Sequence, residues 1–163
     1  MATEVHIRAA TLKDVSDIRE MIAALAVETG HSDIDVMSED DIRAHGFGPH
    51  PDFNTLIAEQ DGRAIGLVVY FGEFSTWRGK RGVYVQDIYV APEQQGLGVG
   101  RLLINAVSAR AQESGAVYIR LAADRSNVDA HQFYKRLGFQ EKSDDSLFIL
   151  EGDAFQTFAK GRA

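Results

Sequence analysis

Three glycines at alternate positions, Gly96, Gly98 and Gly100, stand between two apolar runs of different period. Before them, Val83–Val90 has the branched and aromatic content of a strand, and Ala91-Pro92 closes it. After them, Leu102, Leu103, Ala106, Val107 and Ala111 recur at helical spacing. Glycines without Cβ let backbone N–H groups converge on an anion, and the start of a helix adds partial positive charge. A strand, a glycine loop and a helix in that order belong to an α/β chain, and the expected guest of the loop is a phosphate or pyrophosphate. A flexible strand-to-helix turn would need fewer glycines.

The rest of the chain fits around that unit. Glu4–Ala9 reads as a first strand. Thr11-Leu12-Lys13-Asp14 has the form of a capping box, and Leu12, Val15, Ile18, Ile22 and Leu25 predict a helix over about 12–28, ended by Gly30. Ser38–Asp41 caps a short helix to His45, and Gly46–Asp52 is a loop. Thr55–Gln60 and Ala64–Phe71 flank Asp61-Gly62, a dipeptide suited to a tight hairpin turn. Ala116–Ala122 is a strand, Asn127–Leu137 a helix, and Phe139 and Leu147–Leu150 short strands. Asp153 caps a last turn of helix carrying Phe155 and Phe158. The expected fold is α/β (α+β), with a mixed, mostly antiparallel sheet of about six to seven strands and about four flanking helices. At 163 residues it is expected to be one domain, 1–163.

Composition excludes several chemistries. The absence of cysteine removes disulfides, thiolate metal sites and cysteine nucleophiles. His6, His31, His45, His50 and His131 show no paired metal spacing, so no metal is expected. No apolar run approaches the roughly 20 residues that span a bilayer. The N-terminus lacks the regions of a signal peptide, so a cytoplasmic protein without a membrane partner is expected. A net charge of −7 disfavours nucleic acid as a partner and mildly favours cationic substrates.

The phosphate ligand can be narrowed. The spacing is G-x-G-x-G rather than the G-x-G-x-x-G of dinucleotide folds, and Tyr118 stands where those folds place an acid. Arg101 directly follows Gly100, so the Gly-Lys-Ser/Thr ending of a P-loop is missing. Gln95-Gly96-Leu97-Gly98-Val99-Gly100 instead resembles the Q/R-x-x-G-x-G/A loop of the GNAT acetyltransferase superfamily. Asn127, Ala130 and Phe133-Tyr134-Lys135-Arg136-Leu137-Gly138-Phe139 resemble that superfamily's second signature, at the expected distance. Gly46–Pro51, Trp77–Lys80 and Tyr84–Val90 are similar to the spermidine/spermine (diamine) and thialysine N-acetyltransferase branch.

The resemblance implies an acetyl-CoA-dependent N-acetyltransferase, working by direct attack of a small-molecule primary amine in a ternary complex, and a homodimer. It implies that Gln95, Gly96, Leu97, Gly98, Val99, Gly100 and Arg101 hold the pyrophosphate of acetyl-CoA. It further implies that backbone N–H groups of Ile88, Tyr89 and Val90 polarise the carbonyl, and that Asn127 and Ala130 lie near the pantetheine arm. Tyr134 occupies the proton-donor position; a phenol with a reference pKa of about 10 can reprotonate a thiolate held close to it. Phe133, Tyr134 and Leu137 also form one apolar stripe, so aromatic packing fits the same residues. Asp87 sits where the branch has an acid and is the candidate base, with a strand-end ion pair as the other reading. Glu28 and Trp77 are candidates to frame the amine.

Gln86 stands where diamine enzymes carry glutamate, Ser75 replaces an acid, and Asp145 replaces a tryptophan. Fewer carboxylates suit a polyamine less well, and the Gln86 amide fits a smaller amine or an amino acid such as thialysine better. A noncatalytic acyl-CoA-binding module and a protein-lysine acetyltransferase are the competing readings.

Overall fold

The computed structural model describes residues 4–142 and 144–161. Along the chain run β1 (His6–Ala9), α1 (Val15–Glu28), α2 (Glu39–Phe47), β2 (Asn54–Gln60), β3 (Arg63–Ser75), β4 (Lys80–Val90), α3 (Val99–Glu113), β5 (Ala116–Leu121), α4 (Val128–Leu137) and α5 (Gly152–Ala159). Two units divide the chain, the first ending at Asn127 and the second beginning at Val128.

The first unit holds one sheet in the order β1-β2-β3-β4-β5. Its first four strands are antiparallel neighbours, and β5 joins β4 in parallel after the α3 crossover. Local chemistry sets the joints. Asp61 (φ 52°) and Gly62 (φ 73°) both take the left-handed conformation that a two-residue hairpin turn needs. Thr11 and Asp14 exchange capping-box bonds at a short 3₁₀ turn that runs into α1, and Ser38 and Asp41 do the same for α2. One face of the sheet buries Ile57, Leu67, Val69 and Tyr89 against Val15, Ile18, Met21 and Ile22 of α1 and Ile42 of α2. α3 covers the opposite face with Val99, Leu103, Ile104, Val107 and Ala111. Leu102, expected on the apolar side of α3, is 40% exposed, and Ile104 fills the inward position instead.

Beyond Asn127 the chain forms α4 and α5. Glu141 draws in Lys135 at 2.7 Å and His131 at 3.5 Å, both from α4.

The sheet has five strands among the described residues, not six to seven, and there are five α-helices rather than about four. Phe139 and Leu147–Leu150 lie outside any ladder. An apolar run becomes a strand only when its backbone groups find a partner edge. Here Leu147 and Phe148 are 86% and 91% exposed. Conversely, β3 and β4 extend through Gly72–Ser75 and Lys80–Gly82, a polar stretch whose pairing the hydrophobic pattern did not signal. Glu151, not Asp153, precedes α5, and it makes no side-chain capping bond.

Arg8 ties the edge strand to the first helix. Its guanidinium grips both Asp14 oxygens at 2.9 and 2.8 Å and reaches Glu59 Oε2 at 2.8 Å. The bonds from Arg8 hold the Asp14 carboxyl down to about 2, against 3.8 in the unfolded chain. A depressed carboxylate stabilises the fold above its unfolded value, and that stability is lost as pH falls from about 4 toward 2. Asp14→Asn is expected to cost about 2 kcal/mol at pH 7 and much less at pH 2. Urea unfolding of both chains at the two pH values measures the difference.

Candidate active site

β4 changes partners along its length. Its parallel ladder with β5 pairs Val83 with Ile119, Tyr84 with Arg120 and Val85 with Leu121, and stops there. β4 itself continues to Val90, still paired on its other edge with β3. In that second ladder Asp87 faces Val69 and Val85 faces Tyr70, so Gln86 is one extra residue without an opposite number. Such a bulge bends the strand and raises its twist. The consequence is a backbone segment, Gln86–Val90, whose β5-facing groups have no ladder partner. The segment contains Ile88, Tyr89 and Val90, the residues expected to turn N–H groups toward a carbonyl.

Asp87 stands at this break. It shares a sheet face with Val69 and lies at the margin of the core that α1 covers. Burial pushes its carboxyl above the ordinary carboxylate range. No hydrogen bond to the carboxylate offsets the burial among the described residues. A carboxylate in that state is a better proton acceptor than an exposed one. Tyr89 has its side chain 8% exposed and packed in the core. Burial, and then the charges of Glu28 and Glu93, raise its phenol.

The glycine loop follows directly. Gly96 (φ 77°) and Gly98 (φ 88°) are left-handed, and an added Cβ at either would meet nothing within 4 Å. Conformation rather than crowding is therefore what requires glycine there. Gly98 caps α3, and Leu102 N–H is bonded to its carbonyl at 3.1 Å. The N–H groups of the first turn, from Val99 to Arg101, have no acceptor within the helix. Val99 buries its side chain (2% exposed), which leaves its amide as its contribution to a ligand, while Leu97 is 71% exposed. This arrangement fits a pyrophosphate on backbone amides and the helix dipole.

Gln95 joins the loop to two other elements. Its amide donates to Val90 O at 3.0 Å and to Glu28 Oε1 at 3.4 Å. Glu28, the last residue of α1, is thereby brought to the end of β4. It also lines a cleft of about 400 Å³ with Thr29, Gly30, Asp124, Ser126 and Asn127. Glu28 and Asn127 are thus brought together across the sequence. Thr29, Asp124 and Ser126 were missed in sequence, because nothing local marks a residue that meets its neighbours only through the fold.

Other expected residues belong to other elements. Trp77 is at the tip of the β3–β4 hairpin and is 99% exposed. Ala130 and Tyr134 lie on α4 in the second unit, where the Tyr134 ring centroid is 5.2 Å from Phe133 and 5.5 Å from Phe139. Among the described residues no group of three or more His, Asp or Glu gathers to hold a metal. No helix among the described residues is long and apolar enough to cross a membrane.

The chain is similar to known proteins in sequence and in fold. A family model described as Acetyltransferase (GNAT) family matches residues 18–139. The thialysine N-epsilon-acetyltransferase of Bos taurus is 36% identical over 166 residues, covering 95% of this chain and 97% of that protein. An integron cassette protein from the mobile metagenome of V. cholerae superposes with a TM-score of 0.80 at 21% identity, covering 96% of this chain and 98% of the other. An aminoglycoside N-acetyltransferase solved in complex with CoA superposes with a TM-score of 0.73 at 19% identity, over 91% and 96% of the two chains.

Because only the left-handed φ opposes a side chain at position 98, Gly98→Ala is expected to cost about 1–2 kcal/mol. Thermal unfolding should show it as a fall in Tm of roughly 2–8 °C.

Proposed function

The chain belongs to the GNAT family of acetyltransferases, and we propose that it moves the acetyl group of acetyl-CoA to the primary amine of a small molecule, a diamine or a thialysine-like amino acid. The observation that carries the reading is the backbone segment Gln86–Val90, released from β5, which carries the half-buried Asp87 with no hydrogen bond to its carboxylate among the described residues and is followed by the left-handed glycine loop. A relative that aligns over nearly the whole chain and is named for thialysine supports the acceptor class. The reading treats residues 1–163 as one acetyltransferase domain.

Acetyl-CoA supplies the thioester whose acetyl carbonyl is attacked. The loop Gln95–Arg101 binds its pyrophosphate through backbone amides, and Asn127 and Ala130 border its pantetheine arm. A small-molecule amine arrives mostly protonated near neutral pH. Asp87 accepts that proton, directly or through one water, and frees the nitrogen lone pair. The N–H groups of Ile88–Val90 stabilise the charge that develops on the carbonyl oxygen as the new C–N bond forms. As the C–S bond breaks, the Tyr134 hydroxyl gives its proton to the departing sulfur, a role assigned from its motif position, and the second proton of the newly acylated nitrogen returns the phenolate to the phenol. Glu28, Gln86 and Trp77 contribute to the acceptor side. We also read the protein as cytoplasmic and as a homodimer, the latter supported by the exposed apolar run Leu147–Leu150.

Thiol release from acetyl-CoA, measured against spermidine, putrescine, thialysine, lysine and other small primary amines, tests the reading. Turnover of at least one acceptor, lowered tenfold or more in Tyr134→Phe, is the expected outcome. Intact acetyl-CoA binding with no turnover across the panel would favour a binding module or a protein target instead.

Asp87 gives a second expectation, in pH. Because burial raises its carboxyl, the acid limb of kcat/KM should lie above the ordinary carboxylate range, with activity rising as the carboxylate forms. Asp87→Asn should remove that limb and lower kcat/KM by about 10²-fold or more.

A further inference from the structure

The sheet face that carries Asp87 continues away from the core as a polar and aromatic shelf. Phe71 pairs with Tyr84 and Glu73 with Gly82 in the β3–β4 ladder, so these residues repeat at two-residue steps on the face of Val69 and Asp87. β5 has one residue too many between its pairings of Ala116 with Arg81 and Ile119 with Val83. That irregularity lays Tyr118 across Gly82, where any Cβ would overlap the phenol ring.

Two guanidiniums rest on this shelf. Arg120 sits over Tyr84, 5.2 Å from the ring centroid, and forks onto Glu73 at 3.1 and 2.8 Å. Arg78 lies 4.4 Å from the Tyr118 centroid and makes no salt bridge among the described residues. Two cations against one carboxylate leave a positive charge over, on a chain whose net charge is −7. Tyr118 holds the Arg78 guanidinium over its ring, and the fork's donors are open to an anion. Tyr84 precedes Asp87 by three residues, about 10 Å along a strand. That spacing suits a bifunctional acceptor with its amine at Asp87 and an anionic group toward the arginines.

We infer that Arg78, stacked on Tyr118 over Gly82, reads the carboxylate of an amino-acid acceptor whose side-chain amine is presented at Asp87. This rests on the small-amine reading above and adds the residue that separates amino acids from plain diamines. A planar fork and a carboxylate form the strong, paired kind of charge-assisted bond, and a diamine of equal length offers Arg78 only like charge.

Lysine and cadaverine differ only by the carboxylate, so the ratio of their kcat/KM values isolates its recognition. In the wild type the ratio is expected to favour lysine by about tenfold or more. Arg78→Gln should bring it close to one, chiefly through the KM for lysine, and Arg78→Glu should invert it toward cadaverine. An inversion is a gain that misfolding cannot produce. A wild-type ratio near one, or a ratio unchanged in both variants, would overturn the inference while leaving small-amine acetylation standing. No turnover of any amine on the panel would overturn both.

Discussion

Hydrogen bonding along β4 is satisfied on both edges only as far as Val85. A buried strand does not give up ladder partners without cost, since an unpaired amide shielded from water loses about 1–3 kcal/mol. Here β5 ends at Leu121 while β4, braced by β3 on its other side, runs on to Val90. Gln86 then adds a residue that bends β4 within its pairing to β3. Everything else at the site is arranged around these vacant donors. Asp87 sits beside them, Gln95 fastens the loop to Val90 O, and the glycine loop opens α3 immediately afterwards.

The supporting elements hold that break rigid. α1 and α2 fill one face with branched side chains, and α3 fills the other from Val99 to Ala111. Gly66 leaves room for the neighbouring strand, since a Cβ there would stand 2.7 Å from Tyr89 O of β4. Arg8 fixes the edge strand to the start of α1 through Asp14. The role proposed for the Ile88–Val90 donors requires that they not reorganise, and these contacts on both faces supply that stiffness.

Periodicity and punctuation were enough to find most elements. The capping boxes at Thr11 and Ser38, the Asp61-Gly62 turn and the strand–glycine–helix unit are local features, each legible from a few neighbouring residues. What sequence could not supply was pairing. Leu147–Leu150 is as apolar as a core strand yet meets no ladder, while Gly72–Ser75 is polar and does. The bulge at Gln86 is a relation between two strands and leaves no mark in either alone. For the same reason Asp87 could be singled out, but its burial without a partner could not. The Glu28–Gln95 bond and the Arg78–Tyr118 stack likewise join residues far apart in the chain, which no spacing rule connects.

Gly82 and Tyr118 amount to a lock between two adjacent positions on parallel strands. A side chain at 82 and a ring at 118 claim the same volume, so neither site can drift independently. Across descendants of this chain the two should therefore change together or not at all, a larger residue at 82 arriving only with a smaller one at 118. The pair then acts as a single heritable character, and the orientation of the hairpin arginine is inherited with it.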